Sequence, residues 1–339
     1  MTDGDQQRHG QHRWRFVGVI LGIVGLVWVW FLIDLDRLLD ILRNAKLYYL
    51  LPLFLSLSGE QLVRAWKWRQ LLFTLRPIAT LRLFGAFMAG YFANFVVPLG
   101  VSPFVRSWLI ARLDNLTMSA VLATTAIDRL IDGVFFVGFV GLVVTFAVFS
   151  DPQDNMRYGL VIGGIGSLAL FPSLMLVLAR HRYNMENERG LVLRLLTLLP
   201  DRAAARIRGI LFAFADGIVL PRATWRRLGI VIATLVVKLI AASHLLWAGL
   251  AFGVLLNPID YLFLMVFLGF IIVLSRIARI PGGFIVGGTF ALGLLGIENT
   301  LAAAMVATVL LATNITIVSI GAVTLWRNGI SLTGIKPKM

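Results

Sequence analysis

The chain has 339 residues, of which 59% are hydrophobic and 14% charged, whereas about a quarter of a soluble domain is charged. It contains no cysteine, which excludes disulfides, thiolate metal sites and a cysteine nucleophile. The net charge of +14 reads as basic residues that hold membrane topology and face anionic lipid, in preference to a nucleic-acid footprint.

Several apolar runs approach or exceed the roughly 20 residues needed to cross hydrocarbon. The first, residues 16–33, follows Arg8, Arg13 and Arg15 and precedes Asp34-Leu35-Asp36-Arg37. No small-residue cleavage site follows it, so a retained span behind a cytoplasmic basic tail at 1–15 is expected. Residues 34–46 then form an outer loop. A second helix begins near Leu47 and reaches Arg64, Lys67 and Arg69, whose charge places its end inside. Two short apolar pieces follow, 83–97 and 104–111, separated by Pro98-Leu99-Gly100-Val101-Ser102-Pro103. Each is too short for an untilted crossing, and Arg82 and Arg112 bracket the pair. This predicts a re-entrant hairpin opening to the cytoplasm, broken at Pro98, Gly100 and Pro103.

Residues 116–149 are longer than one crossing needs and carry Asp128, Arg129 and Asp132, so a tilted, broken or partly extramembrane helix is expected. Residues 158–179 return the chain inward. In 180–227 arginines greatly outnumber Glu186, Glu188, Asp201 and Asp216. This reads as a cytoplasmic basic connector, with 209–220 either interfacial or packed against the bundle, and too little apolar content for a soluble catalytic domain. Residues 228–256 cross outward with Lys238 and His244 inside them. The pieces 261–275 and 284–297 flank a second break at Pro281, Gly282 and Gly283, and 300–326 lead to a basic tail at 328–339. With both ends inside, the second hairpin opens outward. The expected fold is an all-α polytopic membrane protein with six full spans and two oppositely oriented re-entrant hairpins. Its halves, 16–179 and 228–327, form an inverted repeat.

Charged residues in apolar stretches are the candidate site. Arg276 and Arg279 lie three positions apart beside the second break. At membrane depth they suit a phospholipid phosphate, assisted by the N–H groups of a helix starting after Gly283; the plainer alternative is that both snorkel to the surface. Arg106 follows the first break as a headgroup or structural ion-pair candidate. Asp128 and Asp132 share a helical face, where they pair with Arg106 or hold a cation or proton. Glu60 and Arg64 are an i,i+4 pair, while Arg64, Lys67 and Arg69 otherwise read as positive-inside anchors. Lys238 and His244 are either titrating groups or satisfied core residues. Trp66, Trp68 and Trp326 read as interface anchors. No P-loop, dinucleotide fingerprint, HExxH or G-x-S-x-G motif occurs, and no metal or cofactor is expected.

Four stretches carry a family resemblance: Arg64-Ala65-Trp66-Lys67-Trp68-Arg69-Gln70-Leu71-Leu72, Tyr91-Phe92-Ala93-Asn94-Phe95-Val96-Val97-Pro98 continuing to Arg106, Asp128-Arg129 with Asp132, and Ile280-Pro281-Gly282-Gly283. Their order and spacing resemble the flippase-like membrane domain of the lysylphosphatidylglycerol synthase family, over residues 15–327. The resemblance implies a bundle that moves a polar-headed lipid between leaflets, without the soluble aminoacyl-transferring domain. Family members usually carry an acid after the first break and a glutamate after Pro-Gly-Gly. Here Pro103 stands at the first place, and Ile285 and Gly288 align with the Gly and Glu of the second. Arg106, Arg276 and Arg279 remain, which favours an anionic headgroup over a cationic aminoacylated one.

The leading expectation is therefore lipid translocation in a bacterial inner (cytoplasmic) membrane, with both termini cytoplasmic and membrane lipids as partners. A non-transporting scaffold for an envelope-lipid biosynthetic enzyme, docked on 180–227, is the runner-up. A membrane transferase using Asp128 and Asp132 is the third.

Overall fold

The computed structural model describes residues 34–96, 101–146, 221–278, 280 and 282–327, with Val27 and Ile162. Among the described residues the regular structure is helical and no strand occurs. In chain order the helices are α1 (Leu35–Arg43), α2 (Leu50–Leu72), α3 (Thr80–Val96), α4 (Ser102–Leu113) and α5 (Met118–Phe146), then α6 (Thr224–Ala251), α7 (Pro258–Ala278), α8 (Gly283–Leu294) and α9 (Asn299–Arg327).

Local chemistry sets several boundaries. Asp34 caps α1 by accepting from the Arg37 amide at 3.1 Å. Pro103 sits in the first turn of α4, where a missing N–H costs nothing. That helix stops at Asp114, and Asn115 turns the chain with φ +53°. Gly282, at φ +73°, supplies the left-handed residue from which α8 starts.

The expected six full spans are not found among the described residues. Four of the described helices are long and apolar enough to cross a membrane: Met118–Phe146, Thr224–Ala251, Pro258–Ser275 and Asn299–Arg327. Expected spans at 16–33 and 158–179 lie outside the described residues. The remaining expected span, α2, is long enough but carries Glu60, Arg64, Lys67 and Arg69 within its last thirteen residues, too much charge for an apolar crossing. Conversely, the piece expected as a half-span at 261–275 belongs to a helix of 21 residues. Pro258 opens that helix, and Asp260 accepts from the Asn257 amide at 3.1 Å as the returning half of a capping box. The opposed hairpins and inverted repeat rested on counting this segment as a half-span, so that part of the expected fold class falls with it.

The chain forms two compact units. The first comprises Met1–Leu57, Phe139–Gly163 and Lys238–Ile315. Within it α8 is held by close contact on both sides. A Cβ on Gly287 would come within 2.7 Å of Ile271 on α7, and one on Gly288 within 2.7 Å of Val306 on α9. Such approaches are how membrane helices gain packing without a hydrophobic driving force.

The second unit comprises Ser58–Gly138, Gly164–Val237 and Thr316–Met339. Its core gathers Trp68, Phe87, Leu109, Val121, Ile230 and Leu325. Helices α3 and α4 pair extensively. A Cβ on Gly90 would lie 2.8 Å from the Ser102 carbonyl oxygen, and one on Gly321 only 2.6 Å from that of Met88.

Candidate functional site

The face of α2 that turns inward repeats at intervals of four and three: Leu53, Leu57, Glu60, Arg64, Lys67 and Leu71. Its second half therefore points charge where its first half points leucine. On α5 the same spacing brings Val121, Thr125, Asp128 and Asp132 onto one buried face. On α4, Ser102 and Arg106 stand one turn apart and are both buried.

These three faces meet in one ion-pair network inside the second unit. Lys67 is fully buried, and its Nζ lies 2.8 Å from Asp128 Oδ1 and 2.5 Å from Asp132 Oδ1. The Asp132 contact is a hydrogen bond. The Asp128 contact is an ion pair by distance, off the hydrogen-bonding direction. Arg64 donates to Glu60 at 2.6 and 2.8 Å and reaches Asp132 Oδ2 at 3.3 Å. Arg106 reaches Asp128 Oδ2 at 3.5 Å. Burying these charges costs several kcal/mol per ion, and close pairing offsets that cost.

The guanidinium of Arg106 is 0% exposed. Its Cζ lies 4.1 Å from the centre of the Phe87 ring and 4.8 Å from that of Trp68, within cation–π range. The Trp68 indole is held in turn by donating to Thr124 Oγ1 at 3.0 Å. One turn away, Ser107 and Thr125 hydroxyls meet at 3.1 Å.

Arg129 differs from its neighbours. Its side chain is exposed, yet Tyr91, Asp128, Arg64 and Asp132 all lie within electrostatic reach. The described cluster thus holds four cations, Arg64, Lys67, Arg106 and Arg129, against three carboxylates, Glu60, Asp128 and Asp132. One positive charge is in excess among the described residues.

Of the residues singled out from sequence, the structure brings together Arg106, Asp128, Arg129 and Asp132. The side chains of Arg276 and Arg279 lie outside the described residues, as do Pro98, Gly100 and Pro281. Lys238 and His244 are half-buried on α6. The anchoring role read for Arg64 and Lys67 is wrong: both are engaged in the buried network. Trp68 is likewise no interface anchor but a fully buried core residue, whereas Trp326 is 81% exposed. Lys67 is the site residue that the sequence reading missed. The four-and-three spacing from Leu53 to Leu71 puts it on the inward face, a signal that becomes specific only with α5 beside it.

Among the described residues no group of three or more histidine or carboxylate side chains is arranged to hold a metal ion. A family model described as the lysylphosphatidylglycerol synthase TM region matches residues 16–321. No curated protein and no solved structure matches the chain.

Proposed function

Since this chain belongs to the family of the lysylphosphatidylglycerol synthase TM region, we propose that it moves a polar-headed, anionic lipid between the leaflets of a bacterial inner membrane. The coarser statement, a multi-pass helical membrane domain of a lipid-handling family, follows from the match and from the four apolar helices.

The observation that supports the finer reading is Arg129. It is an exposed cation in the interior of a 29-residue apolar helix, beside a buried network whose three cations and three carboxylates balance, so the unmatched charge of the cluster is its own. A charge so placed is costly in hydrocarbon unless water or a polar headgroup meets it. An anionic headgroup is the partner that membrane lipid itself supplies, and guanidinium groups bind phosphate oxygens with paired hydrogen bonds.

The test is leaflet exchange of headgroup-labelled phosphatidylglycerol in proteoliposomes, comparing the full chain with Arg129→Gln. Movement by the wild type that falls several-fold in the variant supports translocation. Absence of movement by the wild type, with and without an ion gradient, transfers the reading to a scaffold for an envelope-lipid enzyme.

A further inference from the structure

We propose that the α3–α4 hairpin holds a binding site for the oxyanion of a phosphate group, built on Arg106 with Ser102 and Asn94. The proposal rests on the lipid-handling reading above and deepens it by naming the chemical group recognised and the residues that take it.

The observations begin with Arg106. The Phe87 and Trp68 rings pack against its guanidinium, with Cζ 4.1 and 4.8 Å from their centres, but an aromatic ring is only a weak acceptor for N–H groups. Its Nε, Nη1 and Nη2 have no hydrogen-bond partner. The 3.5 Å approach of Nη2 to Asp128 is an ion pair without hydrogen-bond geometry. A fully buried cation with three such nitrogens is far outside the normal rule that buried donors are satisfied.

The second observation is independent of Arg106. The buried Ser102 hydroxyl, one turn earlier on α4, also has no partner. On the facing helix, Gly90 brings its backbone against both: a Cβ there would lie 3.0 Å from Ser102 Oγ and 3.3 Å from Arg106 Cβ. Asn94 follows Gly90 by one turn on α3, and its side-chain oxygen is again buried without a partner. Oxygen and nitrogen of such an amide exchange places by a simple flip. Three unsatisfied polar side chains thus gather on the facing sides of one hairpin. Each offers a donor, and none is a carboxylate.

Charge decides the class of ligand. Asp128 would repel an anion at Arg106, but it lies closer to Lys67 (2.8 Å) than to Arg106 (3.5 Å). Glu60 and Asp132 are engaged by Arg64 and Lys67. The acids are therefore shared among nearer cations, and Arg106 retains charge for an incoming anion. A flat guanidinium edge, a hydroxyl and an amide match the oxygens of a phosphate group. A cationic group would instead meet the like charge of the Arg106 guanidinium.

Two sources carry that chemistry, a phospholipid headgroup and free phosphate. Binding of dihexanoyl phosphatidylglycerol and of inorganic phosphate is measured calorimetrically on the full chain in a neutral detergent, with Arg106→Lys and Ser102→Ala alongside. Saturable binding of the short-chain lipid that weakens about tenfold or more in Arg106→Lys, and about three-fold or more in Ser102→Ala, supports the site with a lipid source. The same pattern with inorganic phosphate alone supports the site with a free-ion source. Absence of binding of both probes by the wild type overturns the proposal, as does unchanged affinity in either folded variant. If Arg106→Lys does not fold, Ser102→Ala decides, since it removes one hydroxyl. Leaflet exchange followed in the same variants separates the two readings. Binding without any lipid movement leaves the site standing and removes translocation, whereas movement indifferent to both substitutions does the reverse.

Discussion

Lys67 and Asp132, sixty-five positions apart in the chain, meet through a 2.5 Å hydrogen bond whose ammonium is wholly enclosed by protein. The same ammonium also lies 2.8 Å from Asp128, so two carboxylates depend on one cation. Removing it strands buried negative charge, a far larger loss than the net value of an ion pair. Lys67→Met is therefore expected to lower stability by about 3–5 kcal/mol. Lys67→Met combined with Asp128→Asn and Asp132→Asn should recover much of that loss. Unfolding in mild detergent checks both; a triple variant no more stable than the single one would show that charge is not the cause.

Trp68 supplies three things at once: core volume, an indole donor to Thr124, and an aromatic face for Arg106. Trp68→Phe keeps a ring but loses the donor and some volume, and should cost about 1–3 kcal/mol. Trp68→Ala should cost about 3–5 kcal/mol. Thermal midpoints of the purified variants rank the two.

Glycines divide into two kinds by what faces them. A Cβ on Gly321 would lie 2.6 Å from both the Met88 carbonyl oxygen and Phe92 Cβ. Backbone cannot swing aside, so Gly321→Ala should destabilise by about 1–3 kcal/mol. Gly138 and Gly141 have nothing within 4 Å of that position. Alanine at either is expected to be neutral or slightly stabilising through helix propensity. Paired unfolding measurements on the three variants test the contrast.

Arg129 should behave oppositely to Lys67. It is exposed and makes no close ion pair among the described residues, so Arg129→Gln is expected to leave stability within about 0.5 kcal/mol. Lipid movement should nevertheless fall several-fold. Equal loss of both properties would place Arg129 in the structural network instead.

The helical membrane class is plain in the sequence because length and apolar content are local properties. The expected runs at 116–149, 228–256 and 300–326 correspond to α5, α6 and α9. The short pieces at 83–97 and 104–111 correspond closely to α3 and α4. Pairing of Glu60 with Arg64 was also legible, since four residues make one turn. The role of Lys67 was not, because a basic cluster at a helix end has the same composition whether it faces lipid headgroups or two distant aspartates. Only the interval between Leu57 and Leu71 distinguishes the cases, and it does so once α5 is in place beside it. The piece at 261–275 was read too short for a related reason: its true start at Pro258 is marked by the bond from the Asn257 amide to Asp260, which forms only once the helix is in place.

The contact between Gly288 and Val306 also constrains how this protein can change. A Cβ at residue 288 would come within 2.7 Å of Val306 Cγ2 and 2.8 Å of its Cγ1, so a carboxylate there would overpack against Val306. Room for it must be made at residue 306, by a substitution that opens a void and is harmful by itself. Residues 288 and 306 are thus coupled, and substitutions at the two positions should be strongly non-additive.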